Sequence, residues 1–297
     1  MSAKTSSVQL FTGPIQSIVE VTEGVVPGAG SAAAMAVIKT MSIKKDGKMV
    51  DINQIGPEDL IAIVRGNRTV ETSMTFAMTD GTLLKRLINA ANYGTPAGTV
   101  SETLSIILRL YMNNVVNYLV LKGSRIKSGG IKLAIGKDTE CSVDWVHTGA
   151  NLPTSTPPAG LTLTSTFPSG AVVDWLSGSV NPVTWNATAI KCTEMSIEIN
   201  RNSTVDHTLG NVDPYSSQPH ARGISGSFMN LWTDVVLETD YDGGTARTLV
   251  VIISTALTLT LTMTGTKIVT YDTDYDATDT AAIVEKCGFT SLAGNIP

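Results

Sequence analysis

The chain repeats itself, which restricts it to two like units or one structure with two like halves. "MSIKKDGKMVDINQIG" begins at Met41 and "MSIEINRNSTVDHTLG" at Met195. The offset, 195 − 41 = 154, still holds at Ile55-Gly56 against Leu209-Gly210. "VRGNRTVETSMTF" then answers "ARGISGSFMN", with Arg65-Gly66 against Arg222-Gly223 at an offset of 222 − 65 = 157. Finally "LKGSRI" around Gly123 matches "MTGTKI" around Gly265: strand, glycine, small hydroxyl, basic residue, isoleucine. These landmarks in one order predict an internal duplication, with a first unit at 1–148 and a second at 186–297. Between them, residues 149–185 are rich in Pro, Ser, Thr and Gly and read as a connecting arm, with one hairpin around "LTLTSTF".

Each half has the same coarse plan. A first strand ("AMAVIKTMSIK"; "AIKCTEMSIEIN") leads into a long polar excursion, and a strand follows the Arg-Gly pair. The first half then predicts one helix, "DGTLLKRLINAANYG", with Asp80 as N-cap, an apolar stripe of Leu83, Leu84, Leu87 and Ile88, and Gly94 as its end. "LWTDVVLETDYDGG" is a poorer equivalent in the second half. Strand pairs close each unit: "TLSIILRLYM" with "YLVLKGSRI", and "TLVVIIS" with "LTLTLTMTGTKI". The expected fold is mainly β, a sandwich or barrel flanked by one helix, made twice.

The last of these strands alternates leucine or methionine with threonine. Leu257, Leu259, Leu261 and Met263 take one face, and Thr258, Thr260, Thr262 and Thr264 the other, which is polar but uncharged. Low charge runs through the chain: 16% of residues are charged, against about 25% in an ordinary soluble domain. Net charge is −5, which excludes electrostatic gripping of nucleic acid, because that needs clustered Lys and Arg. Low surface charge fits outer faces buried against copies of the same chain. The N-terminal "MSAKTSSVQLFTGPI" has no continuous apolar core of a signal peptide, and the longest apolar run is broken by threonines, so neither secretion nor a membrane helix is expected. Cys141, Cys192 and Cys287 form no CxxC pair and read as reduced, structural thiols.

No catalytic constellation is present. His147, His207 and His220 lack any zinc-site spacing. Asp272, Asp274 and Asp276 have the spacing of a calcium loop, but Ala277 stands where the glycine is needed and Ile283 where the closing glutamate is. The Asp-rich segment 272–279 therefore reads as a solvated turn. No enzyme activity, cofactor or metal is expected.

The duplicated β unit with one helix, the Arg-Gly pair after a long loop, the Gly–Ser/Thr–Lys/Arg–Ile turn and the threonine-alternating closing strand resemble tail tube proteins of long-tailed phages and related viruses. The resemblance spans about 35–145 and 188–292. It implies a virion protein of the tail, made and assembled in the host cytoplasm. Its units would close into a ring β-barrel on assembly, with two-unit chains forming trimeric rings of pseudo-sixfold symmetry. Stacked rings would form a tube that conducts genome DNA without binding it specifically, in contact with tape measure and tail-end proteins. Alternatives are the inner tube of a phage-derived injection particle, or a head decoration or adhesin β-sandwich. The excursions at 44–63 and 198–221 occupy matching places and are expected to carry ring-to-ring contacts.

Overall fold

The computed structural model describes residues 14–35, 37–53, 60–79, 81–88, 103–112, 115–168, 172–173, 175, 183–209, 211–218, 222–254, 257, 259–274 and 283–295. The elements in the first half are β1 (Gln16–Val19), β2 (Gly30–Ser31), β3 (Ala33–Ala34), β4 (Val37–Asn53), β5 (Leu60–Ala77), α1 (Thr82–Ile88), β6 (Leu104–Met112), β7 (Val115–Ala134), β8 (Glu140–His147) and β9 (Gly149–Ala150). There follow β10 (Leu161–Thr162), β11 (Val183–Trp185), β12 (Thr188–Ala189), β13 (Cys192–Asn200), β14 (Thr204–Asp206), β15 (Ser216–Gln218), β16 (Gly223–Leu231), α2 (Val236–Asp242), β17 (Arg247–Ser254), β18 (Leu259–Asp274), β19 (Val284–Ser291) and β20 (Ala293–Asn295).

Pairing runs in two like series. In the first half the order is β3-β1-β6-β7-β8-β5-β4, and in the second β12-β11-β17-β18-β19-β16-β13. β7 and β18 are the long strands that change partners. Up to Gly123, β7 pairs with β6 and β9; beyond it, with β8. Up to Gly265, β18 pairs with β17 and β20; beyond it, mainly with β19. Both glycines have positive φ, +56° and +64°, a conformation that glycine adopts without steric cost. The two halves join where β7 pairs with β13. The result is a continuous run of eight strands, β4-β5-β8-β7-β13-β16-β19-β18. The run does not close within the chain: β4 and the C-terminal part of β18 are its open ends.

Alternation explains which face is core. In β13, Met195, Ile197 and Ile199 are buried while Glu194, Glu198 and Asn200 are exposed. β5 buries Thr72, Met74 and Phe76, and β8 buries Cys141, Val143 and Trp145. β18 contributes Leu259, Leu261 and Met263 to the same apolar cluster from the second layer. A Cβ on Gly294 of β20 would come within 2.8 Å of Ile224 Cδ1 and 3.4 Å of Met263 Cγ, so the layers touch there. Burying each such side chain contributes about 1.5–3 kcal/mol.

The helix of the first half buries Leu83, Leu84, Leu87 and Ile88, the stripe expected from the sequence. Asp80 and residues 89–94, its expected N-cap and end, lie outside the described residues. The second half fastens α1: the Arg201 guanidinium donates to Leu87 O at 2.7 and 3.0 Å, and Arg222 donates to Ile88 O. Leu87 sits over Gly129, where a Cβ would lie 2.8 Å from its Cδ2. Leu87→Ala should cost about 2–3 kcal/mol by chemical denaturation, the low end for a buried leucine because the glycine floor lets neighbours close in. A loss under about 0.5 kcal/mol, the range of surface changes, would mean the helix is not part of the core.

Three expectations differ from what is found. The arm holds no hairpin around "LTLTSTF": β10 pairs in parallel with β2. The arm is also built into both halves, with Val173 and Trp175 buried and β11 joined to β17. Within the expected excursion at 44–63, the described residues 44–53 and 60–63 are not structureless, since β4 and β5 pair from Val37↔Ala77 out to Asn53↔Leu60. The 198–221 segment engages its own chain. β14 and β15 form a small hairpin, and Arg68 donates to both oxygens of Asp213 at 2.6 and 2.8 Å. Ser217 Oγ accepts from Arg125 Nε at 2.6 Å and donates to Glu23 at 2.7 Å. Neutral side-chain partners would hold this loop less firmly than these charge-assisted bonds do.

Candidate functional site

The eight-stranded run has a second face, pointing away from the core. Across it the alternation places Thr40, Ser42 and Lys44 of β4, Glu71, Ser73 and Thr75 of β5, and Glu140, Ser142 and Asp144 of β8. β7 adds Ser128, Gly130 and Lys132, β13 adds Glu194, Ser196, Glu198 and Asn200, and β16 adds Ser225 and Ser227. Lys286, Gly288 and Thr290 of β19 and Thr270 and Asp272 of β18 complete it. Thr75, Ser128, Gly130, Ser142, Asp144, Ser196 and Ser225 line a shallow trough of about 520 Å³ in its middle.

Hydroxyls on this face bond across the strands. Thr40 bonds Thr75, Ser73 and Ser128 both donate to Asp144 at 2.6 and 2.8 Å, and Ser196 bonds Ser227 at 3.0 Å. Thr270 Oγ1 accepts from the Gly288 amide at 3.1 Å. Polar groups satisfied in this way have less to offer a passing ligand. Charges on the face are mixed in sign: Glu71, Glu140, Asp144, Glu194, Glu198 and Asp272 stand against Lys44, Lys132, Lys267 and Lys286, and Lys127 reaches Glu71 at 2.9 Å. Among the described residues the cations are interspersed with carboxylates and form no single-sign track.

The threonine face of the closing strand lies elsewhere. Thr260, Thr262 and Thr264 belong to the part of β18 that pairs with β17 and β20, in the other layer of the sandwich, and point away from the shared core. Thr258 lies outside the described residues. The polar face was legible instead in "VETSMTF", "ECSVDWVH" and "MSIEIN", each alternating small polar with apolar residues. What the sequence lacked was the pairing that sets these segments side by side.

Among the described residues considered for chemistry, none forms a reactive cluster. His147 is fully buried, its ring nitrogens 2.7 Å from Ser124 Oγ and 2.8 Å from Thr72 Oγ1, and burial lowers its pKa to about 3. His207 is only partly covered, and His220 lies outside the described residues. Cys141, Cys192 and Cys287 are free and buried, and burial pushes each thiol up to about 12, so thiolate chemistry is suppressed. Asp272 lies on β18 opposite Lys286, and the rest of the Asp-rich segment from residue 275 is outside the described residues. Among the described residues no group of His, Cys, Asp and Glu is placed to hold a metal, and no helix is long and apolar enough to cross a membrane.

Elsewhere the polar groups act structurally. The Asp240 carboxylate of α2 accepts from Trp185 Nε1 at 2.8 Å and from Arg247 at 2.8 and 3.0 Å. The hydrogen bond from Arg247 holds its carboxyl below the usual range. Glu20, buried beneath the Gly123 turn, accepts from Ser105 Oγ, Gly24 N and Gly123 N at 2.6–2.9 Å. These are fastenings of helix and turn to sheet.

The described residues thus form an open-ended sheet with one apolar face and one hydroxyl-rich face of mixed charge. No curated protein sequence matches the chain. A family model described as phage tail tube protein matches residues 12–296, nearly its whole length. The chain belongs to the phage tail tube protein family.

Proposed function

We propose that the protein is the subunit of a DNA-conducting tail tube, assembling as trimeric rings that stack. Membership of the family supports a structural role in the viral tail. The observation that carries the finer reading is the eight-stranded run, open at both ends and polar on one face. Open edges expose unpaired N–H and C=O groups, and ring closure removes them. Three copies would give a barrel of 24 strands (3 × 8), about 45–50 Å across between backbones at ordinary strand spacing and tilt. Its inner wall would be the hydroxyl-rich face, where lysines alternate with carboxylates and form no cationic track, so that duplex can slide past without being held.

Two tandem units born of duplication account for the pseudo-sixfold character of such a ring. The like pairing order in the two halves supports this, as do bulges at Ile126/Ser128 and Ile268/Thr270 and the matching glycine turns. Tape measure and tail-end proteins would be its neighbours in the virion.

Negative-stain microscopy of purified protein should show rings and tubes with a stain-filled channel, and a gel shift with duplex DNA at physiological salt should show no complex below micromolar concentration. Stable monomers at micromolar protein would overturn the tube. Tight DNA binding would overturn the channel wall assigned to the polar face.

A further inference from the structure

We infer that copies of this chain join edge to edge through β18 of one copy and β4 of the next, in a register that the chain already writes once within itself. The inference rests on the proposed ring and specifies its seam.

The internal seam is the β7–β13 pairing, which runs antiparallel from Glu194↔Ala134 to Asn200↔Ser128. Over this stretch β7 holds β8 on its other edge, and β13 holds β16. β18 reproduces the β7 side. It pairs with β19 through Lys267↔Thr290, Ile268↔Phe289, a bulge and Thr270↔Gly288, as β7 pairs with β8 through Arg125↔Val146, Ile126↔Trp145, a bulge and Ser128↔Asp144. The offset between β18 and β7 is thus 267 − 125 = 142. β4 reproduces the β13 side, since Met41↔Met74 and Ser42↔Ser73 match Met195↔Phe228 and Ser196↔Ser227 at an offset of 154 in both strands. Yet the edge of β4 away from β5 has no partner among the described residues, nor does the edge of β18 away from β19 over 270–274. One chain therefore carries both halves of a second seam and cannot use them on itself, because they lie at opposite ends of the eight-stranded run.

Carrying both offsets onto Asn200↔Ser128 sets Asp46 of one copy opposite Thr270 of another (200 − 154 and 128 + 142). The register then gives Lys45 opposite Tyr271, Lys44 opposite Asp272, Ile43 opposite Thr273 and Ser42 opposite Asp274. The chemistry agrees with a register that sequence similarity alone did not choose. Lys44 and Asp272 meet on the polar face with opposite charge, a favourable cross-strand pair. Lys44 can turn to it, being highly exposed and held only by a long, 3.7 Å ion pair to Asp46, which is itself about half exposed. On the other face Tyr271 is fixed ready for contact: its ring stacks on Tyr241 at 5.9 Å and its hydroxyl donates to Glu285 at 2.7 Å. Val269 beside it is 52% exposed, an apolar residue on an open edge. The partner that fits this edge is β4 of a second copy.

The test uses full chains carrying one new cysteine each. Lys44→Cys and Asp272→Cys proteins, mixed and treated with a mild oxidant, should give a disulfide-linked dimer that neither gives alone, and tubes should persist. The native thiols are buried and protonated, so they stay out of the reaction. Lys44→Cys mixed with Thr273→Cys should give none, because alternate residues leave a strand on opposite faces. Tubes with no 44–272 link, or with an equal 44–273 link, would overturn the seam while leaving the ring intact. Absence of tubes and links together would overturn the ring, and the seam with it.

Discussion

A chain in which an Asn-Gly turn replaces residues 48–67 should form rings and no tubes. Gly47 and Arg68 face each other in the β4–β5 ladder, so a two-residue turn can join them without changing the register below. β8 pairs with β5 only from Val70 to Ala77, and the hairpin above that point runs past the end of the sheet. Its backbone ladder nevertheless continues to Asn53↔Leu60. Among the described residues, β4 is the one strand that pairs with β5 ahead of Val70. The clasp of Arg68 on Asp213 is retained in the shortened protein. The second half has no such arm: its counterpart is folded back as β14–β15 onto the first half. One projecting arm per chain, three per ring, is then available to meet the next ring. Mass photometry should find trimers at concentrations where the parent chain elongates. Tubes of ordinary length would remove the arm from the axial contact, and an unfolded product would place it in the core.

Local signals in the sequence carried the elements, while the contacts between them were hidden. The stripe Leu83, Leu84, Leu87 and Ile88 was readable because helical spacing is a property of one segment. So were the β6–β7 and β17–β18 pairs, whose strands follow one another along the chain. The excursion at 44–63 was misread because "KKDGK" and "IGPED" are turn-rich, yet a long hairpin needs little from its side chains when each strand supplies the other's backbone bonds. The echo around Arg65-Gly66 was also set wrongly. Pairing keeps the 154 offset through β5 and β16, which brings Arg222 level with Arg68. An Arg-Gly dipeptide matched better as text than the true register did. The polar face was readable only strand by strand: its residues come from eight strands, and only long-range pairing assembles them.

Acidification should destabilise the chain through His147. His147 is enclosed between Ser124, Thr72 and the core, and burial lowers its pKa from 6.5 to about 3. The unfolded chain therefore binds a proton at this histidine that the folded chain refuses. Stability due to the neutral ring is complete above about pH 6.5 and falls as pH drops towards 3, by at most about 1.4 kcal/mol per pH unit. Over the whole window the loss approaches about 5 kcal/mol, a large share of a typical folding free energy. Asp240, whose carboxyl is held low by Arg247, adds its own loss only below about pH 4, as protons reach a group whose folded pKa lies beneath its ordinary value. The interval from pH 6 to 4.5 thus separates the histidine from Asp240. The second half has Ser291 at the matching place, bonded to Thr266 at 3.1 Å, so a neutral hydrogen-bonding side chain can fill such a position. His147→Gln should lower stability at pH 7 and flatten the slope between pH 6 and 4.5, measured by urea denaturation followed through tryptophan fluorescence. An unchanged slope in the variant would mean that the ring takes up its proton in the folded state, and that water reaches the Ser124–Thr72 pocket.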